Sequence, residues 1–166
     1  MKTNRLRARR IALFLGVAAV VIGVDQLTKF WAEATLVSGP IKIIDPFLTF
    51  RLAYNDAAAF SLGVGATWVL AILSTIAVVT MVVLSPRIKT SYWAVIGGFV
   101  LGGAAGNGID RVFKDPAFLN GHVVDFIQVP FNFPIFNLAD SFLVVGIILV
   151  IIQTLRGDQI GGGRDV

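Results

Sequence analysis

Long apolar runs alternate with short polar links along the chain. Residues 11–24 carry no polar side chain, and the run continues through "DQLTKFWA". A second run, 66–84, "ATWVLAILSTIAVVTMVVL", carries no charge. A third covers about 93–109, "WAVIGGFVLGGAAGNGI", and a fourth about 135–155. Each approaches the roughly 20 residues that a ~30 Å hydrocarbon layer requires. The pattern therefore predicts a mainly α, polytopic membrane protein with four transmembrane helices. In the link 32–65, "GP" at 39–40 and "DP" at 45–46 signal turns. "LTFRLAYN", 48–55, then alternates, with Leu48, Phe50, Leu52 and Tyr54 on one side. Period two predicts a strand. A lone strand is not stable, so a small β-sheet against the outer membrane surface is expected.

Composition agrees. Of 166 residues, 56% are hydrophobic and 14% charged, with a mean hydropathy of +0.82. Soluble domains carry about 25% charge. The net charge of +4 does not point to nucleic acid, because the basic residues cluster in "MKTNRLRARR", directly before an apolar run. That basic start also fits a cleavable signal peptide, but no A-x-A-like site follows it, so the first span is expected to be retained.

Lys/Arg bias sets the orientation. Lys2, Arg5, Arg7, Arg9 and Arg10, then Arg87 and Lys89, then Arg156 and Arg164 fall on one side of four spans. The positive-inside rule makes that side cytoplasmic. Links 32–65 and 110–134 then face outward. The expected organisation is a basic cytoplasmic N-terminus (1–10), one membrane domain (11–155) and a disordered cytoplasmic tail (156–166). Trp31, Trp68 and Trp93 lie near span ends, where interfacial aromatics are expected. In the third span, Gly98, Gly102 and Gly106 share a face suited to close helix packing.

The polar residues of the spans gather at one level. Asp25 and Lys29 are one helical turn apart and can pair. Asn107, Asp110 and Arg111 end the third span, and Asp110 with its neighbour Arg111 reads as a structural ion pair. Asn137 and Asp140 open the fourth span as N-x-x-D, a capping arrangement as readily as a site. Asp125, in "HVVDFIQV", has no adjacent cation. Ionisable groups are costly in a bilayer, so clustering at one depth points to a site. There is no cysteine and a single histidine, His122, which reads as a packed or solvated loop residue. Two carboxylates sharing a proton can run acid–base hydrolysis without thiol, metal or imidazole. Asp125 and Asp140 are the best such pair. A proton-coupled transporter and a non-enzymatic assembly protein remain as alternatives. The first usually carries its charges near the midplane, often in repeated halves.

Five blocks carry a family resemblance: "DQLTK" (25–29), "NDAAAFS" (55–61), "GGAAGNGIDR" (102–111), "VVDF" (123–126) and "FNLADS" (136–141). In this order, with four spans, the chain resembles bacterial lipoprotein signal peptidase (signal peptidase II), an intramembrane aspartyl peptidase. The resemblance implies that Asp125 and Asp140 are the catalytic dyad. It implies supporting or substrate-binding roles for Asp25, Lys29, Asn55, Asn107, Asp110, Arg111 and Asn137. It implies no cofactor or metal, a monomer in the bacterial inner membrane, and a small β-cradle over an extracytoplasmic site. Its partners would be membrane lipids and diacylglyceryl-modified prolipoproteins, cut just before the lipidated cysteine. The family usually has glycine where this chain has Ala57, which bears on substrate positioning.

Overall fold

In a computed structural model, residues 2–56 and 67–160 are described. Four helices are present: α1 (Lys2–Thr35), α2 (Thr67–Leu84), α3 (Ser91–Phe113) and α4 (Leu138–Leu155). Strands β1 (Ile41–Ile44) and β2 (Leu48–Asn55) lie between α1 and α2, and β3 (Val123–Gln128) lies between α3 and α4. Helix α1 has 34 residues and so runs for about 51 Å, well beyond a ~30 Å hydrocarbon layer. It begins within the basic N-terminal stretch and ends beneath the sheet.

Three helices, α1, α2 and α4, are long and apolar enough by themselves to cross a membrane. Helix α3 is diluted by glycine for a packing reason: it is the central helix and touches the other three. A Cβ at Gly98 would lie 2.7 Å from the Val17 side chain, and one at Gly102 would lie 2.5 Å from Val21. One at Gly106 would lie 2.6 Å from Asp25 Oδ2. The glycine stripe thus seats α1 on α3 along a matching four-residue repeat, as the pattern predicted.

Trp93 departs from expectation. It is buried with Phe14, Ile88, Ala94 and Ile96. Thr90 caps α3 by accepting the Trp93 N–H at 3.2 Å, which turns this side chain into the bundle rather than toward an interface. Trp31 and Trp68 are exposed.

The sheet is antiparallel, in the order β1-β2-β3. It is fastened to the end of α1 by Phe126, which packs with Ala32 and Leu36, while Phe50, Leu52 and Leu138 close over them. Trp31, Phe50 and Phe126 meet edge to face, with centroids 5.6–6.2 Å apart. The β2 boundaries coincide with the alternating segment. Its apolar side ends at Leu52, however. The register shifts between Phe50 and Ala53, and Tyr54 is exposed.

Candidate functional site

At the sheet end of the bundle, α1 contributes a buried cation. Lys29 Nζ lies 2.8 Å from Asp25 Oδ2 and 2.8 Å from Asp110 Oδ2, and it donates to Asn107 Oδ1 at 3.0 Å. These three partners use all three ammonium protons. The side chains of Asp25, Lys29 and Asp110 are fully buried. The expected ion pair of Asp110 with Arg111 is replaced by this one. Successive helical residues point about 100° apart, so neighbours in sequence do not face each other. Arg111 instead lies within Coulombic reach of Asp140, Asp125 and Asp110.

The two acids of the trio also hold backbone. Asp25 Oδ1 accepts the Ala139 N–H at 2.9 Å, and Asp110 Oδ2 accepts the Val124 N–H at 3.1 Å. The cluster therefore ties α1 and α3 to the start of α4 and to β3. Gln26, which sequence reasoning passed over inside "DQLTK", donates to Asp110 Oδ1 (3.1 Å), the Gly106 carbonyl (3.1 Å) and Asp25 Oδ2 (3.2 Å). Nothing in its spacing distinguished it from a lipid-facing neighbour of Asp25.

Two asparagines carry the network to the remaining acids. The Asn137 side chain accepts the Asp140 N–H at 3.0 Å, and Asp140 Oδ2 accepts the Asn137 N–H at 3.1 Å. This is a full capping box, so the capping role of N-x-x-D is real. The same Asn137 amide donates to Asp125 Oδ1 at 2.6 Å and to Asn107 Oδ1 at 3.0 Å. Asn107 Nδ2 donates to Asp140 Oδ1 at 2.7 Å. Asp125 Oδ2 receives Asn55 Nδ2 at 2.9 Å. The β2–β3 register explains that contact, because Asp125 pairs with Ala53 and Asn55 lies diagonally across.

Each oxygen of Asp125 and Asp140 thus accepts one N–H, and Asn137 touches both carboxylates. Burial pushes the Asp125 carboxyl up to about 6, with the charge of Asp140 adding to the rise and the Asn55 and Asn137 amides opposing it. Asp125 is 2% exposed, while Asp140 is half-buried and more open to solvent. All nine residues singled out from the sequence fall in or beside this cluster. His122 instead lines an adjoining cleft with Glu33, Tyr54 and Lys114. Among the described residues, no group of three His, Cys, Asp or Glu side chains is placed to hold a metal ion. Ala57 lies outside the described residues.

The family model for signal peptidase (SPase) II matches residues 17–156. The lipoprotein signal peptidase of Mycobacterium leprae is 42% identical over 153 residues, covering 92% of this chain and 76% of the relative. That of Bifidobacterium longum subsp. infantis is 43% identical, covering 93% of this chain and 84% of the relative. A bacterial membrane enzyme solved by the in meso method at 2.3 Å superposes with a TM-score of 0.77. The two are 30% identical, over 92% of this chain and 93% of that one. A second, solved by the same method at 1.9 Å, gives 0.73 at 32% identity, over 86% and 92% of the two chains. With the family model matched over residues 17–156 and relatives 42–43% identical over most of its length, the chain belongs to the signal peptidase II family.

Proposed function

We propose that this protein is an intramembrane aspartyl endopeptidase that removes signal peptides from diacylglyceryl-modified prolipoproteins, cutting before the lipidated cysteine. Asp125 and Asp140 form the catalytic pair. The observation that carries this reading is Asn137, whose side-chain amide donates to Asp125 Oδ1 while its backbone N–H donates to Asp140 Oδ2, so that one residue bridges both carboxylates. The relatives named as lipoprotein signal peptidases supply the substrate class.

In this reading the pair binds one proton, carried by the more buried Asp125. Asp140 takes a proton from water as the water oxygen attacks the scissile carbonyl carbon. Asp125 donates its proton to the carbonyl oxygen, giving a gem-diol. Collapse breaks the C–N bond. The proton taken from water leaves with the amine, and Asp125 recovers its own from a diol hydroxyl. Water, carboxylic acid and amine balance, and no cofactor takes part. Asn55, Asn107 and Asn137 hold the carboxylates at fixed positions, and the Asp25–Lys29–Asp110 cluster fixes the elements that carry those amides.

The chain acts as one membrane domain of the bacterial inner membrane, as a monomer, with both termini cytoplasmic and the carboxylates on the extracytoplasmic side. Supporting this orientation, Arg5, Arg7, Arg9, Arg10, Arg87, Lys89 and Arg156 all lie at the end of the bundle remote from the carboxylates. Cleavage of a lipid-modified precursor by purified protein tests the assignment. Asp125→Asn and Asp140→Asn should each abolish product. Turnover at wild-type rate by both variants would remove the pair from the mechanism.

A further inference from the structure

At the opposite end of the bundle, the start of α1, the link between α2 and α3 and the turn after α4 converge on a groove of about 740 Å³. Among the described residues, Arg7, Arg10, Arg87 and Lys89 line it and no carboxylate does. The frame is fixed at two points. Ile88, between Arg87 and Lys89, is buried in the cluster of Phe14 and Trp93. The Lys89 N–H donates to the Ile160 carbonyl at 3.2 Å, which closes one wall. Leu84, Ile88 and Ile160 give the groove an apolar side continuous with the lipid-facing surface of α2. From Arg10 to Asp25 is about 22 Å along α1, so the groove is separate from the carboxylate cluster.

Four cations around one concavity repel one another and focus a positive potential. An anion seated there relieves the repulsion, and arginine forks match phosphate oxygens. The apolar side fits a ligand that is half hydrocarbon. We propose that this groove binds the phosphate headgroup of an anionic phospholipid, with its acyl chains lying along the Leu84 side. Basic pockets between transmembrane helices suit such headgroups, whereas a general surface charge would show no preference among positions on α1.

The test compares the full-length wild-type protein with Arg7→Gln/Arg10→Gln and with the charge-matched Arg5→Gln/Arg9→Gln, since Arg5 and Arg9 lie on α1 outside the groove. Native mass spectrometry reads the binding of phosphatidylglycerol and of phosphatidylcholine with the same chains. Wild type should prefer phosphatidylglycerol at least tenfold. The groove variant should lose about thirtyfold in affinity for it, at roughly a factor of five per arginine, with phosphatidylcholine unchanged. The charge-matched control should stay near wild type. Equal losses in the two variants would mean diffuse attraction and overturn the site. Inorganic phosphate displacing phosphatidylglycerol at equal concentration would overturn the lipid assignment in favour of a free anion.

Discussion

Lys29→Met tests whether the buried trio holds the site end together. Methionine fills much of the same volume without the charge. In the wild type the ammonium lies 2.8 Å from each of two fully buried carboxylates. At an effective dielectric of about 20, each contact is worth roughly 6 kcal/mol in gross Coulomb energy. Desolvation of the three ions offsets most of that, and breaking a buried pair by removing one partner costs about 3–5 kcal/mol. Here two acids lose their partner together, so a loss of about 4 kcal/mol is expected, toward the middle of that range. For a chain of this length that is roughly a 10 °C fall in Tm. Thermal unfolding in detergent, followed by tryptophan fluorescence, reads it. The triple variant Lys29→Met/Asp25→Asn/Asp110→Asn keeps oxygen acceptors for the Ala139 and Val124 N–H groups and removes both orphaned charges. It should recover at least half of the loss. A single variant within 1 kcal/mol of wild type on the same scale, or a triple variant less stable than the single one, would refute the reasoning.

Other outcomes follow from the same geometry. The raised Asp125 carboxyl binds a proton more tightly folded than unfolded, so its contribution is most favourable below pH 4 and is lost as pH rises through about 6. Wild type should lose on the order of 3 kcal/mol across that window relative to Asp125→Asn, and parallel curves would contradict it. The alkaline limb of kcat/KM should fall near pH 6. Because the Asn55 amide favours the charged form of Asp125, Asn55→Ala should move that limb to higher pH, whatever it does to the maximum rate. Gly102→Ala should lower Tm through overpacking against Val21, at about 1–3 kcal/mol. Gly16→Ala on α1, with nothing within 4 Å of the new Cβ, should leave Tm unchanged or raise it.

Features governed by local periodicity could be read from the chain; those governed by burial on all sides could not. Strand β2 was visible because one of its sides is apolar and the other polar. Strand β3 was not, because Val123, Val124, Asp125 and Phe126 are all buried and show no period of two. That same burial is what raises the Asp125 carboxyl. The glycine face of α3 was legible, since a four-residue repeat of small side chains has few other meanings. The partner of Asp110 was not. A contact with a residue 81 positions away leaves no trace in local spacing, and the neighbouring Arg111 offered a false one. Asn107 and Asn137 were noticed as polar residues at the right depth, but nothing in one sequence says that their amides bond to each other and to two acids.

The placement of the acids follows from the backbone as much as from chemistry. Near hydrocarbon, an N–H without an acceptor costs several kcal/mol. The first turn of α4 and the buried strand β3 both present such donors, and Asp25 and Asp110 accept them. Those two acids then need a cation, and Lys29 serves both, so α1, α3, α4 and β3 become one rigid unit. Onto that unit the capping box adds Asp140, which takes the Asn137 N–H at the start of α4. Among the described residues, Lys29 and Arg111 stand among the four carboxylates, Asp125 included, while Lys114 is held at 2.9 Å by Glu33 and reaches Asp110 only at 3.9 Å. Burial, with the charge of Asp140 adding to it, favours the protonated form of Asp125. The supports that satisfy the backbone thus also set the charge balance around Asp125 and Asp140.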